Sequence, residues 1–168
     1  MNIRQAVLED AASIAEVQVK SWQSSYKGLV KECYLQSMSI SERTGRWKDW
    51  IYADPTHHVL VLEDNKKVTG FISGGKIRSE HPYDSEIYAL YLIKEVQRKG
   101  YGTLLIKAFA EKIKNEGKES MVVWVLADNP SKQVYISLGA EKTDEELITI
   151  GQQELLEECY AWSKLSFI

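Results

Sequence analysis

The run Ile87-Tyr88-Ala89-Leu90-Tyr91-Leu92-Ile93 is followed, after Lys94-Glu95-Val96, by Gln97-Arg98-Lys99-Gly100-Tyr101-Gly102. The first segment is β-rich and apolar throughout, as expected of a buried strand. Beyond it, Tyr101, Leu104, Leu105, Ala108 and Phe109 recur at i, i+3, i+4, i+7 and i+8, which predicts an amphipathic helix running to Gly117, a C-terminal glycine. The two glycines therefore sit where a strand delivers the chain into a helix. The first N–H groups of a helix lack internal partners, and its dipole places partial positive charge there. Glycine lets a ligand approach the backbone closely, and Arg98 and Lys99 add side-chain charge. The segment reads as a site for a phosphate-like anion, such as a pyrophosphate. The bland alternative is a tight turn with Arg98 and Lys99 solvated. It is not a P-loop, which needs Gly-x-x-x-x-Gly-Lys-Ser/Thr, nor a dinucleotide fingerprint, whose third glycine falls on Leu105.

Outward from this centre, Met121–Leu126 is a second buried strand. Asn129 can cap a helix that has Pro130 at its first position, Gly139 just past its end, and Val134, Tyr135 and Leu138 facing inward. Toward the N-terminus, Val59–Leu62 and Val68–Ser73 flank the polar cluster Glu63–Lys67 as a hairpin. Ile3–Val7 reads as a first strand, and Asp10 as the cap of a helix with Ala11, Ile14, Ala15 and Gln18 on one face. A second helical stretch covers Lys31–Ile51, with Trp47, Trp50 and Ile51 at core spacing. Two late strands, Leu147–Ile150 and Cys159–Trp162, follow a solvated turn at Asp144-Glu145-Glu146. This order predicts one domain over residues 1–168, of mixed α/β (α+β) class. Its sheet is mostly antiparallel with a central parallel strand pair, and helices cover both faces.

Composition narrows the function. The 168 residues carry 21 Lys+Arg against 24 Asp+Glu, a net charge of −3, whereas a duplex nucleic-acid binder is expected to be basic. No apolar run approaches the roughly 18 residues a membrane span needs, and Met1–Gln5 lacks the apolar core of a secretory signal. Two cysteines, Cys33 and Cys159, fit a reducing compartment, and neither belongs to a Cys-x-x-Cys or Cys-x-x-His pair. A cytoplasmic protein without a bound metal is expected, with no nucleic-acid or membrane partner.

Gln97-x-x-Gly100-x-Gly102 between a buried strand and an amphipathic helix resembles the acyl-CoA-binding signature of GCN5-related N-acetyltransferases. The resemblance extends over nearly the whole chain: an N-terminal β-α-α, the hairpin, the signature, Asn129 opening a later helix and Tyr135 upon it. It departs from the common pattern in having Gln97 and Arg98 where many members have Arg and Gly. The resemblance implies an acetyl-CoA co-substrate and a small-molecule or peptide amine acceptor, in a monomer or homodimer. It implies that backbone N–H groups of Gln97, Arg98, Lys99, Gly100, Tyr101, Gly102 and Thr103 hold the CoA pyrophosphate. The main chain of Leu90, Tyr91 and Leu92 would bond the pantetheine arm, with Leu90 and Leu92 favoured because only alternate residues face one side. Asn129 would contact the pantetheine, or act only as a cap, and Lys132 would reach a phosphate, or be merely solvated. An acyl-CoA-binding regulatory or sensor module without turnover is the alternative from another class.

Acetyl transfer to an amine poses two proton problems. An alkylamine with a pKa of about 10.4 is neutral in only about one molecule per 10³ at pH 7, a handicap of about 4–5 kcal/mol, so a base must remove a proton before attack. The departing thiolate is stabilised by a nearby hydroxyl. By the same resemblance Tyr135 is the acid candidate, against plain packing on a buried face. Glu86 is the base candidate, against a solvated strand-end carboxylate. Glu80, Asp84, Glu95, His57, His58 and His81 have weaker claims, and the aromatic residues Trp22, Tyr26, Tyr34, Trp47 and Trp50 either fill core or form the acceptor pocket.

Overall fold

A computed structural model describes residues 1–168, the side chain of Phe167 excepted. Seven strands form one sheet in the order β1-β2-β3-β4-β5-β7-β6. They are β1 (Asn2–Gln5), β2 (His58–Asp64), β3 (Lys67–Lys76), β4 (Ser85–Leu92), β5 (Met121–Leu126), β6 (Glu141–Ile150) and β7 (Gln153–Trp162). The helices are α1 (Ala11–Ser25), α2 (Glu32–Ser37), α3 (Ile40–Ala53), α4 (Tyr101–Asn115) and α5 (Lys132–Ser137). Every pairing is antiparallel except β4 with β5. The expected class, the single parallel pair and the two-sided helical cover are all present.

The continuous apolar run of β2 follows from that cover, because strand residues alternate between faces and both faces are buried. Leu60 and Leu62 pack with Leu105, Ile106, Phe109 and Ile113 of α4. Val59 and Val61 pack instead with Ile14 and Ala15 of α1 and with Trp47 of α3.

Four expectations needed revision. The stretch Lys31–Ile51 is two helices, parted at Met38 and Ser39, because the Ser39 hydroxyl accepts the Glu42 N–H and caps α3. Trp50 on α3 is 42% exposed, lying edge-on to the buried Trp47 rather than in the core. Asp10 precedes α1 but does not cap it by side chain. Its carboxylate accepts the Val7 N–H and pairs with Arg4, which holds it below the usual carboxylate range. Finally, Asp144-Glu145-Glu146 is not a turn but part of β6, an edge strand whose charges disfavour pairing with another chain. The late strands reach further than expected, joined at Gly151, whose φ of +61° suits the reversal.

Candidate active site

The decisive local feature is a loss of pairing. The β4–β5 ladder covers only Ser85–Ile87 against Met121–Val123, after which the parallel neighbours separate. On its other edge β4 is irregular: Ile87 faces Gly74 and Ala89 faces Ser73, so Tyr88 is an extra residue. Such a bulge bends a strand and re-aims its side chains. The result is a cleft of about 860 Å³ between β4 and β5, floored by Ala89 to Leu92 and by Val123 to Val125.

The glycine turn closes one end. Arg98 (φ +59°) and Gly100 (φ +84°) are both left-handed, which turns successive N–H groups toward one side. The first helical bond of α4 is Leu104 N–H to Gly100 C=O, so the N–H groups of Tyr101, Gly102 and Thr103 precede the ladder. Gln97, Arg98, Gly100, Gly102 and Thr103 line the cleft, together with Lys94. A β-carbon on Gly102 would meet only Leu92 Cδ1, at 3.8 Å, so protein packing does not require glycine there. Lys99 and Tyr101 are not lining residues; Tyr101 packs partly against the α4 core.

Strand parity sorts the residues of β4. Ile93 N–H bonds to Thr69 C=O on β3, so by alternation the main chain of Leu90 and Leu92 faces the cleft side. The Leu92 carbonyl is already used, accepting Ser21 Oγ at 3.1 Å and Gln97 Nε2 at 2.8 Å. Gln97 thus ties the turn to the end of β4. Ser21, Ser24 and Ser25 at the end of α1 also line the cleft, and no motif in the sequence singled them out.

At the other end stand Asn129 and Tyr135. Asn129 Oδ1 accepts the Ser131 N–H at 2.9 Å, shaping the turn into α5. Tyr26 and Tyr91 are both raised above the ordinary phenol range, chiefly by burial. Tyr135 lines the cleft with its ring edge-on to Trp162 at 6.0 Å, and burial pushes its hydroxyl well up. It stays a hydrogen-bond donor at any physiological pH.

Two predicted residues lie elsewhere. Lys132 Nζ donates to the Ala127 carbonyl and pairs with Glu158 at 2.9 Å, so its charge is committed to β7. Glu86 is buried and triply bonded by Arg78: backbone N–H at 2.9 Å, Nη2 at 2.6 Å and Nε at 3.2 Å. Arg78 in turn stacks over Tyr88, 4.1 Å from the ring centre. Asp84 is a loop anchor, accepting from Glu119 N–H and from Ser120 N–H and Oγ. Glu157 went unnoticed in the sequence. It is a half-buried carboxylate on β7 whose proton affinity is raised by burial and by Glu146. Among the described residues no group of three His, Cys, Asp or Glu side chains is arranged to hold a metal ion, and no helix is long and apolar enough to cross a membrane.

Residues 76–149 match the family model described as FR47-like protein. The chain is 38% identical over 168 residues to the Bacillus subtilis protein named uncharacterized N-acetyltransferase YuaI, covering 99% of this chain and 95% of that one. It shares its fold with PaiA N-acetyltransferase of Thermoplasma acidophilum, solved in complex with coenzyme A, at a TM-score of 0.75 and 24% identity over 94% of this chain and 96% of that one. The same holds for yncA, a putative acetyltransferase of Salmonella typhimurium solved with its cofactor acetyl-CoA, at a TM-score of 0.74 and 24% identity, covering 98% and 94%. With the signature turn, the parted β4 and β5, and a full-length relative bearing that activity in its name, the chain belongs to the GCN5-related N-acetyltransferase family.

Proposed function

We propose that this protein, acting as a single domain in the cytoplasm, moves an acetyl group from acetyl-CoA to a primary amine of a small molecule or peptide, with both substrates bound at once. One observation carries the reading: β4 and β5 separate so that a single cleft runs from the glycine turn to Tyr135. A diphosphate and a thioester are the two ends of CoA, and those two ends match the chemistry available. Amides from Arg98 to Thr103, with the Arg98 and Lys94 side chains, supply donors and positive charge for the diphosphate. Leu90 and Leu92 offer main chain to the amide-bearing arm between. Asn129 lies beside the arm's far end. Gly102, free of any packing requirement, leaves room for close approach of the ligand to backbone.

Tyr135 then faces the sulfur. Its raised proton affinity makes full transfer to a thiolate uphill, since a thiol titrates near 8.5. Its contribution is a hydrogen bond that strengthens as negative charge develops on the leaving sulfur. The amine's proton passes to a carboxylate on the acceptor side. Glu86 was the sequence's candidate, and with Arg78 holding three positions it can serve only through a lone pair left on Oε2. Among the described residues no cysteine lines the cleft, and direct transfer needs no acetyl-enzyme.

The test is an incubation with acetyl-CoA and a panel of primary amines, following free thiol and acetylated product. Amine-dependent thiol release with matching product is expected. Tight CoA binding without turnover for any amine would assign the chain to non-catalytic acyl-CoA binders, and indifference to CoA would remove the reading altogether.

A further inference from the structure

The ladder between β6 and β7 carries acidic residues on both faces, and the two faces are treated differently. On one, Glu158 is held by Lys132 at 2.9 Å and Lys142 at 3.0 Å, and accepts the Tyr160 hydroxyl. On the other stands Glu157, opposite Leu126 of β5 and Glu146 of β6, its carboxylate without a hydrogen bond among the described residues. Alternation along β7 places Leu155, Glu157, Cys159 and Ala161 on one face with Trp124 and Leu126. Leu155 and Leu126 belong to the apolar cluster under Tyr26, Val30 and Leu35, where α1 runs into α2. Cys159 and Ala161 belong to a separate apolar cluster under Ile77 and Tyr83 of the β3–β4 connection. Glu157 is the polar residue in the gap between these two walls.

Trp124 on this face lines the cleft, and its β7 partner Cys159 is two residues from Glu157. Glu146 of β6 stands directly opposite Glu157, and Arg78 from the β3–β4 connection, Glu86 and Tyr91 from β4, and Cys159 on its own strand lie within electrostatic range. Tyr91 lines the cleft, and the charge of Glu157 is felt at its hydroxyl. Burial, then Glu146, makes Glu157 more basic than an ordinary glutamate, with Arg78 opposing. Among the described residues this carboxylate has no ion-pair or hydrogen-bond partner, and burial makes it a better proton acceptor than a solvated one. Glu86, on β4, already accepts three hydrogen bonds from Arg78.

Resting on the acetyl-transfer reading, we infer that Glu157 receives the ammonium group of the acceptor and takes its proton, while Glu86 fixes Arg78 at its side. The N–H bond of the ammonium breaks and its proton passes to a Glu157 oxygen. The freed nitrogen lone pair forms the C–N bond to the acetyl carbon, and the C–S bond breaks with its electron pair leaving on sulfur. The thiolate is stabilised by the Tyr135 hydrogen bond and takes, through water, the second proton shed by the nitrogen. Glu157 releases its proton to solvent, so one proton is produced per amide formed.

The test uses the full chain, acetyl-CoA and n-butylamine as the probe, with 13C-labelled glutamate for NMR. The Glu157 carboxyl resonance, identified by its loss in Glu157→Gln, should titrate above the ordinary carboxylate range and shift when n-butylamine is added to CoA-loaded protein. Glu157→Gln should bind CoA as the native chain does, lose about 10²-fold in kcat/KM for n-butylamine at pH 7, and regain rate as pH rises toward the amine's own pKa. Trifluoroethylamine, already neutral at pH 7, should be nearly indifferent to the substitution, which a merely structural role would not produce. A native pH profile in Glu157→Gln, or a Glu157 resonance that ignores the amine, overturns the assignment. Failure of the native chain to bind CoA instead overturns the reading beneath it.

Discussion

Tyr135 combines two properties seldom found together: a fully buried ring and a hydroxyl for which no protein partner is described. The ring is anchored by its edge-on contact with Trp162, while the hydroxyl faces the cleft. Removing a hydroxyl that bonds no protein group costs little stability, whereas removing a donor aimed at developing charge costs rate. Tyr135→Phe is therefore expected to lower kcat by about 10²-fold, with CoA affinity and Tm essentially native. Steady-state kinetics beside calorimetric CoA binding checks this, and an undiminished kcat returns Tyr135 to the core. Glu86 illustrates the opposite case. The family resemblance suggested it as a base, but nothing local in the sequence announces that Arg78, eight positions earlier, will fold back across a hairpin edge to occupy it. Glu157 was hidden for the same reason, since its environment is assembled from β4, β5, β6 and the β3–β4 connection.

Among the elements, those with a local code were legible and those without were not. The α4 helix was read correctly because its apolar period, its opening glycine and its closing Gly117 (φ +78°) are neighbours in sequence. Ser39-Ile40-Ser41-Glu42 carried an equally local signal, a capping box, that should have divided the stretch into α2 and α3. By contrast, the charged half of β6 looks like solvent-exposed chain because its stabilising partners lie on β7, after the reversal at Gly151. Lys142 bonds both Glu145 and Glu158, and Glu158 also binds Lys132 at the start of α5, so one carboxylate joins β7, β6 and α5. That carboxylate is depressed from 4.5 to about 2 by hydrogen bonds from Lys132 and then Lys142. A depressed carboxylate contributes stability above its unfolded pKa and loses it as pH falls through the folded value. Glu158→Gln is thus expected to lower the urea midpoint at pH 7, with the gap to the native chain narrowing as pH falls from about 4.5 toward 2. A gap that stays constant with pH would show the network to be electrostatically idle.

For the whole molecule, the sheet is a continuous support everywhere except between β4 and β5, and the reactive features gather at that interruption. Parallel pairing over only Ser85–Ile87 holds the two halves together at one end, and the bulge at Tyr88 together with the turn at Arg98–Gly100 parts them at the other. The order of elements made this layout legible in outline, but the width of the opening depends on a bulge with no sequence signature. The central claim is that amides of the glycine turn hold a diphosphate. Amide 1H–15N shifts during titration with CoA address it directly, in the native chain and in Gly102→Ala, whose new β-carbon meets only Leu92 at 3.8 Å. The largest shifts are expected at Arg98 through Thr103, and Gly102→Ala should keep native stability or gain slightly from helix propensity while binding CoA at least 10-fold more weakly, about 1.4 kcal/mol. Unshifted amides at Arg98–Thr103 under saturating CoA, with Gly102→Ala binding as tightly as the native chain, would contradict it.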